Sequence, residues 1–289
     1  MRLSEKKRIA LVLSGGGIKA AAFHIGVCLA LREKGFHFQG GPKGSIKAEK
    51  VGPLTFQIYV GSSAGSVIST FLAAGYSIDA AINAFVQGSG FSSLVRHRST
   101  DSYLKPITYR DIFSLNVTAG SPTKLLSSWF RKRPVISGGL EVLFKRGFKM
   151  NGIFTTKNLE KYLRKHVVPD NDFHNLAAEL YIVATQLNHS RKVVFGPYPE
   201  TTKTKDIKYA NYATISEAVA ASAALPPFFS PYPITNKQGK EIYFFDGEIR
   251  DTLSTHVAAD HGADLVIASY SIQPYHYHED MGSLHEYGL

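Results

Sequence analysis

A serine placed between a strand pattern and a helix pattern is the feature that most constrains the fold of this chain. The segment Gly61-Ser62-Ser63-Ala64-Gly65 fits the pattern Gly-x-Ser-x-Gly. The preceding run Phe56–Val60 is β-rich, and the residues from Ser66 to Ala74 are compatible with a helix. A sharp strand-to-helix turn exposes one hydroxyl as a nucleophile, which makes Ser63 the predicted catalytic serine. Small residues also occur in ordinary tight turns, so the motif alone leaves a structural role open.

A glycine-rich loop follows the first strand pattern of the chain. The apolar run Ile9–Leu13 predicts a buried strand, and the alanine-rich residues 20–31 predict a helix. Gly15, Gly16 and Gly17 lie between them. The free N–H groups and the dipole at a helix N-terminus favour negative charge. The loop is therefore predicted to bind either the oxyanion of an acyl-transfer intermediate or a phosphate.

The phosphate alternative has a pattern of its own. The spacing Gly15-x-Gly17-x-x-Ala20 matches a dinucleotide-binding fingerprint, with Glu33 as the downstream acid. The loop does not fit a Walker A motif, because Lys19 is followed by Ala20 and the spacer between the glycines is missing. Acyl transfer needs both an exposed nucleophile and fixed donors for the oxyanion. Because this chain offers both, the oxyanion interpretation is favoured.

A general base is the third element that acyl transfer requires. Asp246 follows the strand-like run Glu241–Phe245 and precedes Gly247, so its carboxylate is predicted at a strand end. An ordinary Asp-Gly turn is the structural alternative. His256 would complete the order Ser, Asp, His of an α/β-hydrolase triad, but it is predicted to lie in a helix over 254–261, capped by Ser254. A dyad is therefore favoured over a triad.

Together these motifs resemble the patatin-like phospholipase family. The resemblance covers about residues 9–270 and includes a fourth segment, Ala221–Pro231, between the serine and the aspartate. It implies a three-layer α/β/α fold with a mostly parallel central sheet and a Ser63–Asp246 dyad without histidine. It implies an oxyanion loop at Gly15, Gly16 and Gly17, and a nucleophile elbow with Gly61 and Gly65. Lys19 and Gly247 are the supporting residues that it implies.

The same resemblance implies an activity. The chain is expected to be a lipid acyl hydrolase of the phospholipase A or lysophospholipase type, acting through an acyl-enzyme without metal or cofactor. Glu248 stands where the family usually has Gly or Ala, and 252–254 stand where it usually has an Asn-Pro pair, so the aspartate loop is expected to differ in shape. An acyltransferase, a nucleotide-binding protein and a non-enzymatic basic adaptor are the alternatives.

Composition and charge predict one domain over 1–289 with a basic insertion. The chain is 44% hydrophobic, which is ample for one large core, and its net charge is +10. Residues 91–150 hold 11 basic and 3 acidic residues, a surplus of +8, and eight aromatic residues that include Trp129. Such a segment suits an anionic membrane surface, single-stranded nucleic acid or a solvated basic face. We favour a lid or membrane-docking insertion, with a membrane lipid as the substrate. No nucleic acid is expected as a partner, and the sequence leaves open whether an activating protein binds.

The remaining expectations concern location and metals. Ile9–Leu13 is too short for a signal peptide, and no run of 18 apolar residues occurs, so a cytoplasmic, peripherally membrane-associated protein is expected. Cys28 is predicted to be a core residue. His276, His278 and His285 do not have the spacing of a zinc site, so no metal is expected.

Overall fold

The structure is a computed structural model that describes residues 3–44, 52–88, 104–116, 152–189 and 191–271. The strands are β1 Ile9–Leu13, β2 His37–Phe38, β3 Thr55–Ser62, β4 Ser114–Leu115, β5 Phe154–Thr155, β6 Glu179–Gln186, β7 Arg191–Phe195, β8 Thr201–Thr202, β9 Ile207–Ala210, β10 Tyr232–Thr235, β11 Glu241–Asp246 and β12 Leu265–Ser269. The α-helices are α1 Gly17–Glu33, α2 Ala64–Ala73, α3 Ile78–Gly88, α4 Tyr109–Ile112, α5 Lys157–His166, α6 Ile215–Ser222 and α7 Thr255–Asp260. Short 3-10 turns cover Leu3–Glu5, Phe173–Asn175 and Gly247–Ile249.

Most of the strands belong to one mixed sheet. Within the described residues this sheet has ten strands, with the main order β12-β1-β3-β6-β7-β9-β8. The contiguous strands β12, β1, β3 and β6 run parallel, whereas β7 and β11 each run antiparallel to β6. The central sheet is therefore mostly parallel where the predicted site lies.

Helices cover both faces of the sheet. In β1 the buried side chains of Ile9, Leu11 and Leu13 pack into the larger apolar cluster, together with α1, α2, α3, α5 and α6. The alternating residues Ala10 and Val12 belong to a smaller cluster on the opposite face with α7. A parallel strand buried on both faces is expected to be apolar throughout, as β1 is. The predicted three-layer α/β/α fold is thus confirmed.

One edge of β6 is shared by two strands that meet end to end. β3 pairs in parallel with the first part of β6, and its last residue, Ser62, lies opposite Val183. β11 approaches from the other direction, and its last residue, Asp246, lies opposite Ala184. The other edge of this part of β6 is taken by β7. The last residues of β3 and β11 therefore meet at one point along β6, although they are far apart in the chain.

Most predicted elements lie where the patterns indicated, with corrections at their ends. α1 begins at Gly17, within the glycine loop, and the short strand β2 pairs with the start of β3. Ser254 occupies the predicted N-cap position of α7, but its side chain makes no capping hydrogen bond to the helix. The prediction for Cys28 is confirmed, since it is buried in α1, and burial raises the pKa of its thiol to about 12.

The basic insertion is described only in part. Residues 104–116 pack against the core, with Leu104 and Ile107 buried. The rest of the predicted insertion over 91–150 lies outside the described residues, so its role as a lid or docking segment stays a prediction. Across the described ranges, no helix combines the length and apolar character that crossing a bilayer requires.

Two glycines give a test of the close packing between α2 and β1. A Cβ at position 65 would lie 2.3 Å from the Leu13 carbonyl oxygen, whereas a Cβ at Gly26 in α1 would have open space within 4 Å. We expect Gly65→Ala to lower the free energy of unfolding by about 1–3 kcal/mol through overpacking. Gly26→Ala should raise it by about 0.5–1 kcal/mol because alanine loses less entropy in a helix. Urea unfolding of both variants measures this; equal effects would contradict the described packing.

Candidate active site

The turn after β3 holds Ser63 in a strained backbone conformation. Ser63 has φ 49° and ψ −122°, which is unusual for a residue with a side chain, and α2 begins at the next residue. A Cβ at Gly61 would lie 2.5 Å from the Ser66 Cα, so the turn closes only with glycine there. Ser63 is 7% exposed and lines a cavity. The predicted strand-turn-helix geometry is present, and the glycines at 61 and 65 are required by close backbone approach.

Asp246 lies at the end of β11 and lines the same cavity as Ser63. Its Oδ1 accepts a hydrogen bond from the Glu248 backbone N–H at 2.9 Å. Its Oδ2 is buried and has no hydrogen bond of normal geometry among the described residues. Burial raises the pKa of this carboxyl to about 6, while the adjacent Ser63 side chain and the Glu248 N–H act in the opposite direction. Asp246 is thus a weakly solvated carboxylate beside the Ser63 side chain.

Gly247 lets the chain turn immediately after Asp246. A Cβ at this position would lie 2.4 Å from the Val183 carbonyl oxygen. That oxygen belongs to the residue of β6 that faces the end of β3. A side chain at 247 would therefore push the aspartate loop away from the serine.

The glycine loop lies over the serine at the start of α1. Gly16 and Gly17 have φ 127° and φ 68°, values that favour glycine. A Cβ at Gly15 would lie 2.8 Å from the Ser63 Cβ, so the loop and the serine turn are in close contact. Gly16 precedes the first residue of a 17-residue helix, and no side chain caps that end. The exposed amides of this helix N-terminus are suited to stabilise negative charge.

A buried histidine, which the sequence reasoning missed, holds this loop. His24 of α1 is fully buried; its Nε2 lies 2.8 Å from the Ser14 carbonyl oxygen and its Nδ1 2.7 Å from the Ser269 hydroxyl. Since the carbonyl only accepts, Nε2 carries the proton and Nδ1 accepts from Ser269. Burial lowers the pKa of His24, which favours this neutral form. It lies about two turns into the helix that follows the loop, and no short motif marks it.

Ser222 is a second residue that the sequence reasoning missed. It lies at the end of α6, within the fourth motif, and is fully buried. Its hydroxyl donates to the Val183 carbonyl oxygen at 2.6 Å and accepts from the Ser63 backbone N–H at 2.8 Å. The same motif fixes the aspartate, because the Ala224 carbonyl oxygen accepts a hydrogen bond from the Asp246 N–H at 3.1 Å. The fourth motif therefore positions both members of the predicted dyad.

The site opens into a cavity of about 390 Å³. Its lining is mainly apolar and includes residues of the helices, of the fourth motif and of the described part of the insertion: Ile18, Ala21, Ala64, Val67, Phe85, Ile107, Ile112, Phe113, Leu159, Ala223, Leu225 and Phe229. The polar part of the lining is Lys19, Ser63, Thr156, Asp246 and Glu248, with Gly16 and Gly17. The cavity thus joins an apolar space to the serine, the carboxyl groups and the glycine amides.

His256 is not brought to this cavity. It lies in α7 on the opposite face of the sheet, where its Nδ1 is 4.0 Å from Asp251 Oδ2. The same aspartate pairs with the buried Lys192, whose Nζ also donates to the Ser254 hydroxyl at 3.0 Å. Burial and Lys192 lower the pKa of His256, and Asp251 raises it. The geometry of an α/β-hydrolase triad is therefore absent at the described site.

The glycine loop and the acid that the dinucleotide alternative requires lie far apart in the structure. Glu33 ends α1, so about 24 Å of helix lies between it and the glycine loop. The loop packs on the serine turn instead of facing an acid at the end of a second strand. Among the described residues no cluster of three His, Cys, Asp or Glu side chains is arranged to hold a metal ion. His276, His278 and His285 lie outside the described residues.

These features define a class of protein: a three-layer α/β domain with a strained serine turn, a glycine loop and a strand-end aspartate around one apolar cavity. The chain belongs to the patatin-like phospholipase family, whose family model matches residues 11–259. Among curated protein sequences no match is found. A similar solved structure is that of VipD from Legionella pneumophila, at 16% identity and a TM-score of 0.40. The match covers 91% of this chain and 49% of VipD, so the chain spans about half the length of that protein.

Two buried serines test how the serine turn is held. Ser222→Ala leaves the Ser63 N–H and the Val183 carbonyl without their partner, so we expect a loss of about 1–3 kcal/mol in the free energy of unfolding. Ser69 of α2 is equally buried, but its hydroxyl has no partner among the described residues. Ser69→Ala should therefore leave stability unchanged or raise it, because it removes a buried hydroxyl that has no partner. Chemical unfolding of both variants measures these changes. A Ser222 variant as stable as the Ser69 variant would show that the hydrogen bonds of the Ser222 hydroxyl do not hold the turn.

Asp246→Asn tests the burial of the aspartate. The folded pKa is raised from 3.8 to about 6, so the native state keeps a proton that the unfolded chain loses, and stability falls as pH rises through this window. The asparagine variant lacks this fall and should be more stable than wild type at pH 7.5, on the order of 3 kcal/mol. The difference should shrink towards pH 4. Urea unfolding at both pH values measures it, and a variant less stable at pH 7.5 would contradict a desolvated Asp246.

Proposed function

We propose that this protein is a lipid acyl hydrolase of the phospholipase A or lysophospholipase type, which cleaves carboxylic esters through a Ser63–Asp246 dyad. The observation that carries the proposal is the meeting of Ser63 and Asp246 at the polar end of one apolar cavity, under the glycine loop. Membership of the patatin-like phospholipase family supports lipid esters as the substrate class. No metal or organic cofactor is needed for the steps below.

The reaction uses one proton that moves between the two side chains. Asp246 accepts the proton of the Ser63 hydroxyl while Oγ attacks the ester carbonyl carbon. The amides at Gly15, Gly16 and Gly17 stabilise the negative oxygen of the tetrahedral intermediate. The ester C–O bond then breaks, and the alcohol leaves with the proton from Asp246. Water attacks the acyl-enzyme with Asp246 again as base, which releases the fatty acid and restores Ser63.

The strain and the close packing support this assignment of roles. Strained residues of this kind are concentrated at functional sites, and the Ser63 backbone is fixed from α6 by Ser222. With a pKa of about 6, Asp246 is largely ionised at neutral pH and is a stronger base than an exposed aspartate. Lys19 lines the cavity beside the glycine amides, where a cation suits an anionic lipid headgroup or the fatty acid product.

The mouth of the cavity supports a membrane surface as the place of action. Ile18 and Leu225 line the cavity and are 43% and 41% exposed, and the neighbouring Phe228 is 56% exposed. Exposed apolar side chains around an apolar cavity favour contact with lipid. The basic residues of 91–150 would add attraction to anionic lipids, on the order of 1 kcal/mol for each cation near the surface. Peripheral association through this rim and that insertion is part of the proposal.

Fatty-acid release from mixed anionic and zwitterionic liposomes tests the proposal. We expect release by wild type, and a loss of at least about a hundredfold in Ser63→Ala and in Asp246→Ala because each removes a reacting group. His256→Ala is the matched control and should keep most of the activity, since His256 lies on the other face of the sheet. Activity should fall as pH drops through about 6, where Asp246 takes up its proton.

The other outcomes separate the alternatives. Transfer of the acyl group to an added acceptor lipid in preference to water would identify an acyltransferase that uses the same acyl-enzyme. Loss of activity in folded His256→Ala would contradict the dyad. Release that is equal in wild type and folded Ser63→Ala would overturn the hydrolase proposal, and liposome binding without release in either protein would favour a non-enzymatic adaptor.

A further inference from the structure

Glu248 places a second carboxyl group in the site, where the resemblance leads one to expect a small residue. It lies in the short turn after Asp246, and its side chain lines the cavity. A Cβ at Gly15 would lie 2.4 Å from the Glu248 Cγ and 2.8 Å from the Ser63 Cβ. The Glu248 side chain is therefore packed beneath the glycine loop, next to the serine turn. Gly15 is the residue that leaves room for both contacts.

The Glu248 carboxyl group is buried without its usual partners. Neither of its oxygens is exposed, and neither has a hydrogen bond of normal geometry among the described residues. The polar groups nearest to it are the Gly15 N–H and the Ser62 hydroxyl. The charged groups that act on it are the carboxylates of Asp246 from β11 and Asp251 from the loop before α7, while the exposed Lys19 of α1 lines the same cavity. A negative charge on Glu248 would thus be desolvated and close to another negative charge.

The two protonation states of Glu248 affect the proposed chemistry in opposite ways. A neutral carboxyl group fills the space beneath Gly15 and adds no charge to the site. An ionised one competes for the Gly15 N–H, and its charge opposes the oxyanion that forms at the same loop. It also lies beside Asp246, which must itself be ionised to accept the serine proton. Two like charges in one desolvated space disfavour each other.

We propose that Glu248 is a positioning residue of the oxyanion loop and that it supports turnover only as the neutral carboxylic acid. This inference rests on the proposed hydrolase function. Its packing against Gly15 keeps the loop in place over Ser63, and the absence of charge leaves the loop amides to the substrate. The protein would then need one ionised and one neutral carboxyl group, which Asp246 and Glu248 provide.

The pH dependence follows from the two carboxyl groups. Burial raises the pKa of Glu248 to about 7, with the charge of Asp246 acting in the same direction and the Gly15 N–H in the opposite one. Burial raises that of Asp246 to about 6. Turnover that needs Asp246 ionised and Glu248 neutral gives a bell-shaped profile with a narrow maximum between about pH 6 and 7.

The test is the pH profile of kcat/KM, measured on a soluble short-chain carboxylic ester for wild type, Glu248→Gln and Glu248→Ala. Glutamine is neutral at every pH and similar in shape, so we expect it to retain activity, to lose the alkaline limb and to exceed wild type about tenfold or more at pH 8.5. Alanine removes the support of Gly15, so its activity should be about tenfold or more below that of the glutamine variant at pH 6.5. Glu241→Gln, an exposed change at the start of β11, is the control and should leave the profile unchanged.

Each result either supports or overturns the inference. An unchanged alkaline limb in Glu248→Gln, or loss of its activity at all pH values in a folded protein, would overturn the need for the neutral acid. Equal rates in the glutamine and alanine variants would overturn the positioning role. Failure of the hydrolase proposal is recognised separately, because Ser63→Ala would then match wild type at every pH.

A stability measurement supplies a readout that does not depend on activity. A carboxyl pKa raised from 4.5 to about 7 in the folded protein makes stability fall as pH rises through that window. Glu248→Gln should therefore melt above wild type at pH 8.5 and together with it near pH 4. A glutamine variant that melts below wild type at pH 8.5 would show that the buried carboxylate is stabilised, and would overturn the inference even without an active enzyme.

Discussion

The end-to-end meeting of β3 and β11 along one edge of β6 is the constraint on which the site depends. Ser62 and Asp246 lie opposite adjacent residues of β6, so the register of two strand pairings brings the serine turn and the aspartate together. The junction leaves no room for side chains: a Cβ at Gly61 or at Gly247 would collide with backbone atoms. Ser63, in its strained conformation, follows directly on this junction. The geometry of the site is therefore a consequence of sheet topology.

This arrangement concentrates unfavourable features in a small volume. Asp246 and Glu248 are carboxyl groups that burial keeps partly protonated near neutral pH, and Ser63 has positive φ. Each of these destabilises the folded state by itself. The surrounding sheet, apolar on both faces, offsets them, since the two clusters bury most residues of β1, β3 and β6. A site of this kind exchanges stability for preorganised groups with altered pKa values.

The sequence predicted those parts of the site that local patterns encode. Ser63, the glycine loop and the strand-end position of Asp246 each follow from a short motif of turn residues beside an apolar run. Ser222 and His24 could not be found in this way, because their partners lie 159 and 245 positions away in the chain and only the fold brings them together. The Ser254 side chain does not cap α7 for a related reason: its hydroxyl accepts a hydrogen bond from Lys192 of a distant strand.

The two departures from the family pattern after Asp246 act on one loop. Glu248 inserts a carboxyl group beneath the glycine loop, while 252–254 replace the usual Asn-Pro pair. In their place, Asp251 and Ser254 are both held by Lys192 of β7, a lysine that is 3% exposed. An ion pair that is buried on the lysine side fixes where the loop returns to the sheet. Because this anchor lies only a few residues beyond Glu248, it restricts how far the carboxyl group can withdraw from Gly15. Because Glu248 stays in place, it acts on the site through its charge, which its protonation state sets, and not through movement.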